Sequence, residues 1–265
     1  MTGIGHADLR ACAAALEAVR RRAPRVHCIT NTVVQNITAN MLLAFGAIPS
    51  MTINPEEVAD FVGGADALLV NLGTVDGERK AAIPVALQAA RDASKPVVLD
   101  PVFIDRSPGR AAFARELAAQ SPTIIRANAA EWAVLVGQRP DAPDGQSLPS
   151  ELQHFLQGST DGAVGVLTGA RDLLATPRRL VSFSGGHTLM ARVTGIGCGQ
   201  AAIMGALAAC AETPFHGALA GLLIFALCGE RAAARADGPG SFEPALLDAL
   251  YAVTAADIQA MEIDV

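Results

Sequence analysis

Short apolar runs alternate along the chain with longer stretches in which apolar positions recur at helical spacing. The runs at 26–30, 67–72, 96–99, 123–127 and 163–168 are mostly apolar and rich in β-branched residues. That is the pattern of strands buried on both faces of a parallel sheet. Between them, Leu9, Ala13, Leu16 and Val19 share one helical face. Gly46 ends a predicted helix that starts near Val33, and Asn54, Pro55 and Glu57 read as the N-cap, first proline and third-position acid of another. After Thr168 the pattern changes. Positions 173–175 and 179–183 read as short strands of an antiparallel edge, followed by helices over about 197–211, 214–236 and 242–261. Alternating β and α segments with a helical end predict an α/β layered fold, with a central, mostly parallel sheet flanked by helices. The polar loop at 141–147 is too short for a domain linker, so 1–265 is read as a single domain.

Composition narrows the picture. Of 265 residues, 51% are apolar and 17% charged, which excludes global disorder. Aromatics make up only 4%, so Ala, Leu, Val and Ile must build the core. A net charge of −6 argues against a nucleic-acid partner. Mean hydropathy is +0.34. The longest uncharged apolar run near the C-terminus, 217–229, nonetheless falls short of the roughly 20 residues a membrane span needs and reads as a buried core helix. Near the N-terminus Arg20, Arg21 and Arg22 follow the apolar stretch, the reverse of a secretory signal, so a cytoplasmic location without membrane contact is expected. The five cysteines form no CxxC pair and predict neither a disulfide framework nor a zinc site. Neither Lys80 nor Lys95 sits in a P-loop.

In open α/β sheets ligands bind beyond the carboxyl ends of the strands. The residues found there are Asn31, Gly73 and Thr74, Asp100, Asn128, and Gly169. The sharpest local feature is Gly195-Ile196-Gly197-Cys198, just before a predicted helix. Two glycines let backbone N–H groups turn toward an anion at a helix start. Cys198 falls in the first turn, where a thiol pKa is lowered from about 8.5; a plain glycine turn with a packed cysteine fits the same residues. Asp100 before Pro101 is either a cation-facing carboxylate or a turn residue. Asn128 and Glu131 form an N-cap and third-position acid, a role compatible with holding Mg²⁺ through water. Arg126 offers a permanent charge to phosphate or snorkels from a strand end. Thr168 offers a hydroxyl to phosphate or closes a turn. His27 reads as a satisfied core histidine, and the other four histidines share no metal-ligand spacing.

The order of these pieces carries more than any one of them. VHCITNTVVQNITANMLLAFGAIPSM (26–51), LLVNLGTV (68–75), PVVLDPV (96–102), IIRANAAE (124–131), VLTG (166–169) and VTGIGC (193–198) together resemble the hydroxyethylthiazole kinase family over nearly the whole chain. The resemblance implies a ribokinase-like fold and transfer of the ATP γ-phosphoryl group, with Mg²⁺, to the primary alcohol of 5-(2-hydroxyethyl)-4-methylthiazole. It implies substrate contacts at Met51 and Gly195 and ATP contacts at Arg126 and Thr168. Asp100 and Glu131 organise Mg²⁺, Gly195, Gly197 and Cys198 form the anion loop, and Cys198 is the catalytic residue. A homotrimer sharing the thiazole pocket between subunits is also implied. The chain departs from the family's usual pattern at Ile196 (threonine), Ala127 (glycine), Ala170 (glutamate) and over 175–183, where a TDG-like hairpin is replaced.

Phosphoryl transfer needs positioning and charge stabilisation more than strong base chemistry, so a weak base at Cys198 is expected to suffice. Three other readings remain at this point. A hydroxymethylpyrimidine kinase of the same fold is separated by substrate. A hydrolase with Cys198 as nucleophile needs a histidine base, for which His187 is the nearest in sequence. A non-catalytic nucleotide binder shows ATP binding without turnover.

Overall fold

The computed structural model describes residues 3–140, 148–158 and 163–263; the polar loop read at 141–147 lies outside them. The strands are β1 (Arg25–Ile29), β2 (Ile48–Ser50), β3 (Ala67–Asn71), β4 (Val97–Asp100), β5 (Ile124–Asn128), β6 (Val164–Thr168), β7 (Asp172–Ala175) and β8 (Leu180–Phe183). They form one sheet in the order β2-β1-β3-β4-β5-β6-β7-β8. The first six are parallel, and β7 and β8 continue the sheet as an antiparallel edge.

Successive strand residues point to opposite faces, and both faces are covered. Cys28, Leu69, Val98 and Ile124 pack into one apolar layer with helices His6–Arg22, Gln35–Phe45, Ile196–Ala208 and Pro214–Ala233. Their chain neighbours Ile29, Leu68, Leu99 and Ile125 pack into the other, under Gly77–Asp92, Pro108–Ala118 and Leu148–Gln157. This double burial explains why the strands read as continuous apolar runs.

Register fixes what reaches the carboxyl edge. Asn71 is aligned with Asp100, and Asn128 with Thr168. Asp100 and Asn128 are thus the last residues of β4 and β5 rather than the first beyond them.

The structure departs from the sequence reading at four places. The edge strand β2 carries no sequence signal because it is only three residues long. Regular helix near Asn54 begins at Val58, because the Asn54 Oδ1 accepts from Glu56 N at 3.0 Å and closes a turn first. The single helix expected over 242–261 is two, Pro239–Ala252 and Ala255–Gln259. Val253 is extended between them, and Thr254 restarts the helix by accepting from Asp257 N at 3.3 Å. Pro214–Ala233 has 20 residues and enough apolarity to span a bilayer by length and composition, longer than the 217–229 run implied. It is nonetheless a core helix, packed against Ile196–Ala208 and Pro239–Ala252 with 78% of its apolar window buried.

Candidate active site

A chain of side chains joins the ends of β1, β3, β4 and β5 to the start of helix Ile196–Ala208. The Asn31 amide donates to Asn71 Oδ1 at 3.1 Å and to Cys198 Sγ at 3.7 Å. Asn71 in turn donates to Asp100 Oδ2 at 2.6 Å. Asn31, Asn71 and Asp100 are buried. Arg126 brings Nη1 to 3.5 Å from the other carboxylate oxygen, Asp100 Oδ1, and donates from Nε to Gln200 Oε1 at 3.3 Å. Asp100 Oδ1 has no hydrogen-bond partner among the described residues. Beyond the 3.5 Å ion pair with Arg126, this buried oxygen keeps lone pairs for a ligand.

The glycine loop is shaped by two contacts. Gly195 has φ of +91°, and a Cβ there would lie 2.7 Å from Ile37 Cγ2. At Gly197 a Cβ would lie 2.8 Å from Arg126 Nη2, so glycine lets the guanidinium lie against the first helical turn. Ile196 between them is buried in the core, and Ala127 is buried in β5, so both departures are filled by packing.

Charge follows burial. Asp100 is pushed up to about 6, first by desolvation; Arg126 opposes this, Glu131 adds to it, and Asn71 opposes it. Glu131 is raised by desolvation as well. Its two oxygens accept from Asn128 N at 2.9 Å and from Phe103 N at 3.0 Å, and Asn128 Oδ1 accepts from Glu131 N at 3.0 Å. The capping reading of Asn128 and Glu131 therefore holds, with acceptor capacity left on each carboxylate oxygen.

The expectation for Cys198 is overturned on one point. Its thiol is pushed up to about 12, not down. Desolvation is the main cause and the Asp100 carboxylate adds to it, outweighing Asn71, Arg126 and Asn31. An activated nucleophile needs the opposite shift. His187 lies on an exposed loop and its Nδ1 already accepts from Leu189 N at 3.2 Å. The cysteine-hydrolase reading loses its physical basis.

Beside Arg126 opens a cavity of about 590 Å³. Thr168, Gly197 and Gln200 line it with Arg126 at one end of the set, and Ala170, His187, Met190 and Ala226 complete much of its wall. Thr168 and Arg126 thus share one cavity. Met51 stands apart from this network, on the segment after β2, half-buried against the core. His27 steadies that segment, with Nδ1 bonded to Ser50 Oγ at 2.8 Å and Nε2 to the Thr52 carbonyl at 3.0 Å. Both ring nitrogens are satisfied, as a core histidine requires.

Two site residues escape a reading of sequence alone. Asn71 sits at the end of an apolar strand, where only its polarity within LLVNLG marks it. Gln200 lies two residues beyond the glycine motif and carries no signal of its own.

Known proteins resemble the chain over most of its length. Residues 16–256 match the family model described as the hydroxyethylthiazole kinase family. A hydroxyethylthiazole kinase of Granulibacter bethesdensis is 46% identical over 246 residues, covering 91% of this chain and 89% of that protein. The solved structure of a hydroxyethylthiazole kinase protein from Pyrococcus horikoshii is 33% identical, with a TM-score of 0.86, over 96% of this chain and 97% of that one. A ribokinase-like superfamily protein from Enterococcus faecalis, 16% identical with a TM-score of 0.66 over 94% of this chain and 95% of that one, shares the fold.

Proposed function

The chain belongs to the hydroxyethylthiazole kinase family, and on that premise we propose how its residues divide the work. The enzyme is a phosphotransferase with an alcohol acceptor. It takes ATP as co-substrate and phosphorylates 5-(2-hydroxyethyl)-4-methylthiazole, giving the thiazole phosphate of thiamine biosynthesis. The assignment over a hydroxymethylpyrimidine kinase rests on relatives 39–46% identical over most of the chain.

The observation that carries the division of roles is the Asp100–Arg126 pair, buried beside the glycine loop. In our reading Arg126 and Thr168 hold the ATP phosphates, and the Gly195–Cys198 amides stabilise charge on the transferred group. Gly195 and Met51 contact the thiazole. Asp100 and Glu131 fit Mg²⁺: Asp100 Oδ1 is a buried carboxylate oxygen that accepts no hydrogen bond among the described residues and has only Arg126 at 3.5 Å beside it, and Glu131 keeps free lone pairs. Mg²⁺ asks for only one or two carboxylates beside phosphate and water. When bound, the ion neutralises charge on the phosphate oxygens.

Cys198 faces the accepting hydroxyl, its sulfur held by the Asn31 amide. A loose transition state leaves the alcohol protonated until late. Only the thiolate form of Cys198, a minor population at neutral pH because burial raises the thiol, then takes the proton and returns to the thiol.

We further propose a cytoplasmic homotrimer with Met51 at a shared thiazole pocket. Exposed Val33, Leu43, Ile48 and Phe61, on the segments flanking Met51, supply an apolar surface for association. The test is ADP release by purified protein with and without the thiazole alcohol, beside light scattering. Thiazole-dependent release from a trimer supports the reading. Release indifferent to the alcohol contradicts the substrate roles, and a fully active monomer contradicts the shared pocket.

A further inference from the structure

The cavity beside Arg126 has lining that the phosphate contacts do not use. Gly185, Gly186, Met190 and Ala226 lie against one another in that lining, so with phosphates held at Arg126, Thr168 and Gly197 they and His187 offer a surface for the base. Asp172 stays with the phosphate contacts, where it is coupled electrostatically to Arg126 and its Oδ1 accepts from Gly169 N at 3.0 Å.

Selection of one base over another requires fixed donors and acceptors aimed at its edge. In this loop four backbone donors are already spent within the chain. Gly186 N donates to Glu230 Oε1 at 2.9 Å, His187 N to Met190 Sδ at 3.5 Å, Leu189 N to His187 Nδ1 at 3.2 Å, and Met190 N to the His187 carbonyl at 3.0 Å. Because His187 Nδ1 accepts from Leu189 N, Nε2 is the ring's remaining donor. Purines and pyrimidines alike offer a ring nitrogen or carbonyl oxygen to such a donor. The Thr188 hydroxyl, which also lines the cavity, rotates to donate or accept as needed. The remaining lining here, from Met190, Ala191 and Ala226, is apolar and recognises a flat ring without reading its edge.

We propose that this site takes its phosphoryl donor as a nucleoside triphosphate of broad base identity, gripping the triphosphate and stacking the base without selecting adenine. The inference rests on the kinase reading above and extends it to the donor. An apolar or non-selective subsite discriminates between ligands by about 10²-fold at most, whereas a hydrogen-bonding subsite reaches about 10⁴-fold.

The experiment pairs two readouts on the intact enzyme. Displacement of labelled ATP by GTP, CTP and UTP measures binding, and kcat/KM for each with the thiazole alcohol measures transfer. All four triphosphates are expected within about 10²-fold of one another in both. His187→Ala should weaken all four by a similar factor. A preference for ATP beyond about 10²-fold, or a His187→Ala loss confined to ATP, would overturn the proposal. Failure of every triphosphate to bind would overturn it as well. Broad binding without transfer would uphold the donor inference and sink the kinase reading instead.

Discussion

Arg126 and Asp100 face each other at 3.5 Å across the ends of neighbouring strands, the carboxylate fully buried and the guanidinium 14% exposed. Each depends on the other: the arginine offsets the cost of a buried charge, and the aspartate holds the arginine beside Gly197. Arg126→Ala removes a charged phosphate contact, at a cost of roughly 1.5–3 kcal/mol. The apparent KM for ATP should rise about 10- to 100-fold, with little change in thiazole affinity. Steady-state kinetics and thiazole titration check this; unchanged KM and kcat would remove Arg126 from the ATP site.

Asp100 is ionised at neutral pH against its surroundings. Its folded pKa, about 6, lies above the usual 3.8. An acid raised on folding favours the protonated fold, so its contribution to stability falls as pH rises from about 4 to 6. Asp100→Asn should therefore melt no lower than the parent above pH 6, and higher if its amide pairs well. The gain is on the order of 2 kcal/mol or less, while kcat drops at least about 10²-fold. Calorimetry and kinetics on one preparation test the trade. Lower stability at pH 7 with full activity would contradict it.

For Cys198, the raised thiol pKa sets the direction of the pH dependence. Thiolate becomes more populated as pH rises toward about 12, so kcat should increase through the alkaline range for as long as the fold persists. Cys198→Asp should keep or raise kcat at pH 7 and flatten that rise. Cys198→Ala should lose roughly 10²-fold, the low end for general-base assistance, while still binding ATP. A trapped phosphocysteine, or an alanine variant with parental kcat, would refute the assignment.

Far from the site, Arg179 grips Asp8 through two bonds of 2.8 and 2.7 Å and lies 4.5 Å over the Phe215 ring. This joins the β7–β8 edge to the first helix and to Pro214–Ala233. The Arg179 bond is the main reason Asp8 sits at about 2. A depressed acid stabilises the fold above its unfolded pKa and loses that contribution as pH falls from about 4 to 2. Asp8→Asn should cost on the order of 2 kcal/mol at pH 7, with the gap to the parent closing below pH 4. A constant gap across pH 2–7 would rule out the ion pair as its source.

The sequence made the parallel strands visible because both faces are buried, so 26–30 and 67–72 read as continuous apolar runs. Strand β2 was invisible because three residues carry no period. The break at Val253 was readable only through Thr254 and Asp257, a capping pair inside an otherwise helical pattern. At the site, Asp100, Arg126, Glu131 and the glycine loop stood out by position and residue type. The Cys198 pKa did not, since burial beside Asp100 outweighs the helix start, and burial is a property of the fold. Asn71 was hidden for the same reason: its part in orienting Asp100 exists only once β3 and β4 are in register.

The central claim is chemical and is tested by product identity. Purified protein is given ATP, Mg²⁺ and an equimolar mixture of 5-(2-hydroxyethyl)-4-methylthiazole and a hydroxymethylpyrimidine, and products are followed by ³¹P NMR. The account predicts a single new phosphate monoester on the thiazole side chain, formed in step with ADP. Phosphorylation of the pyrimidine in preference to the thiazole, or ATP cleavage with release of free phosphate alone, would contradict it.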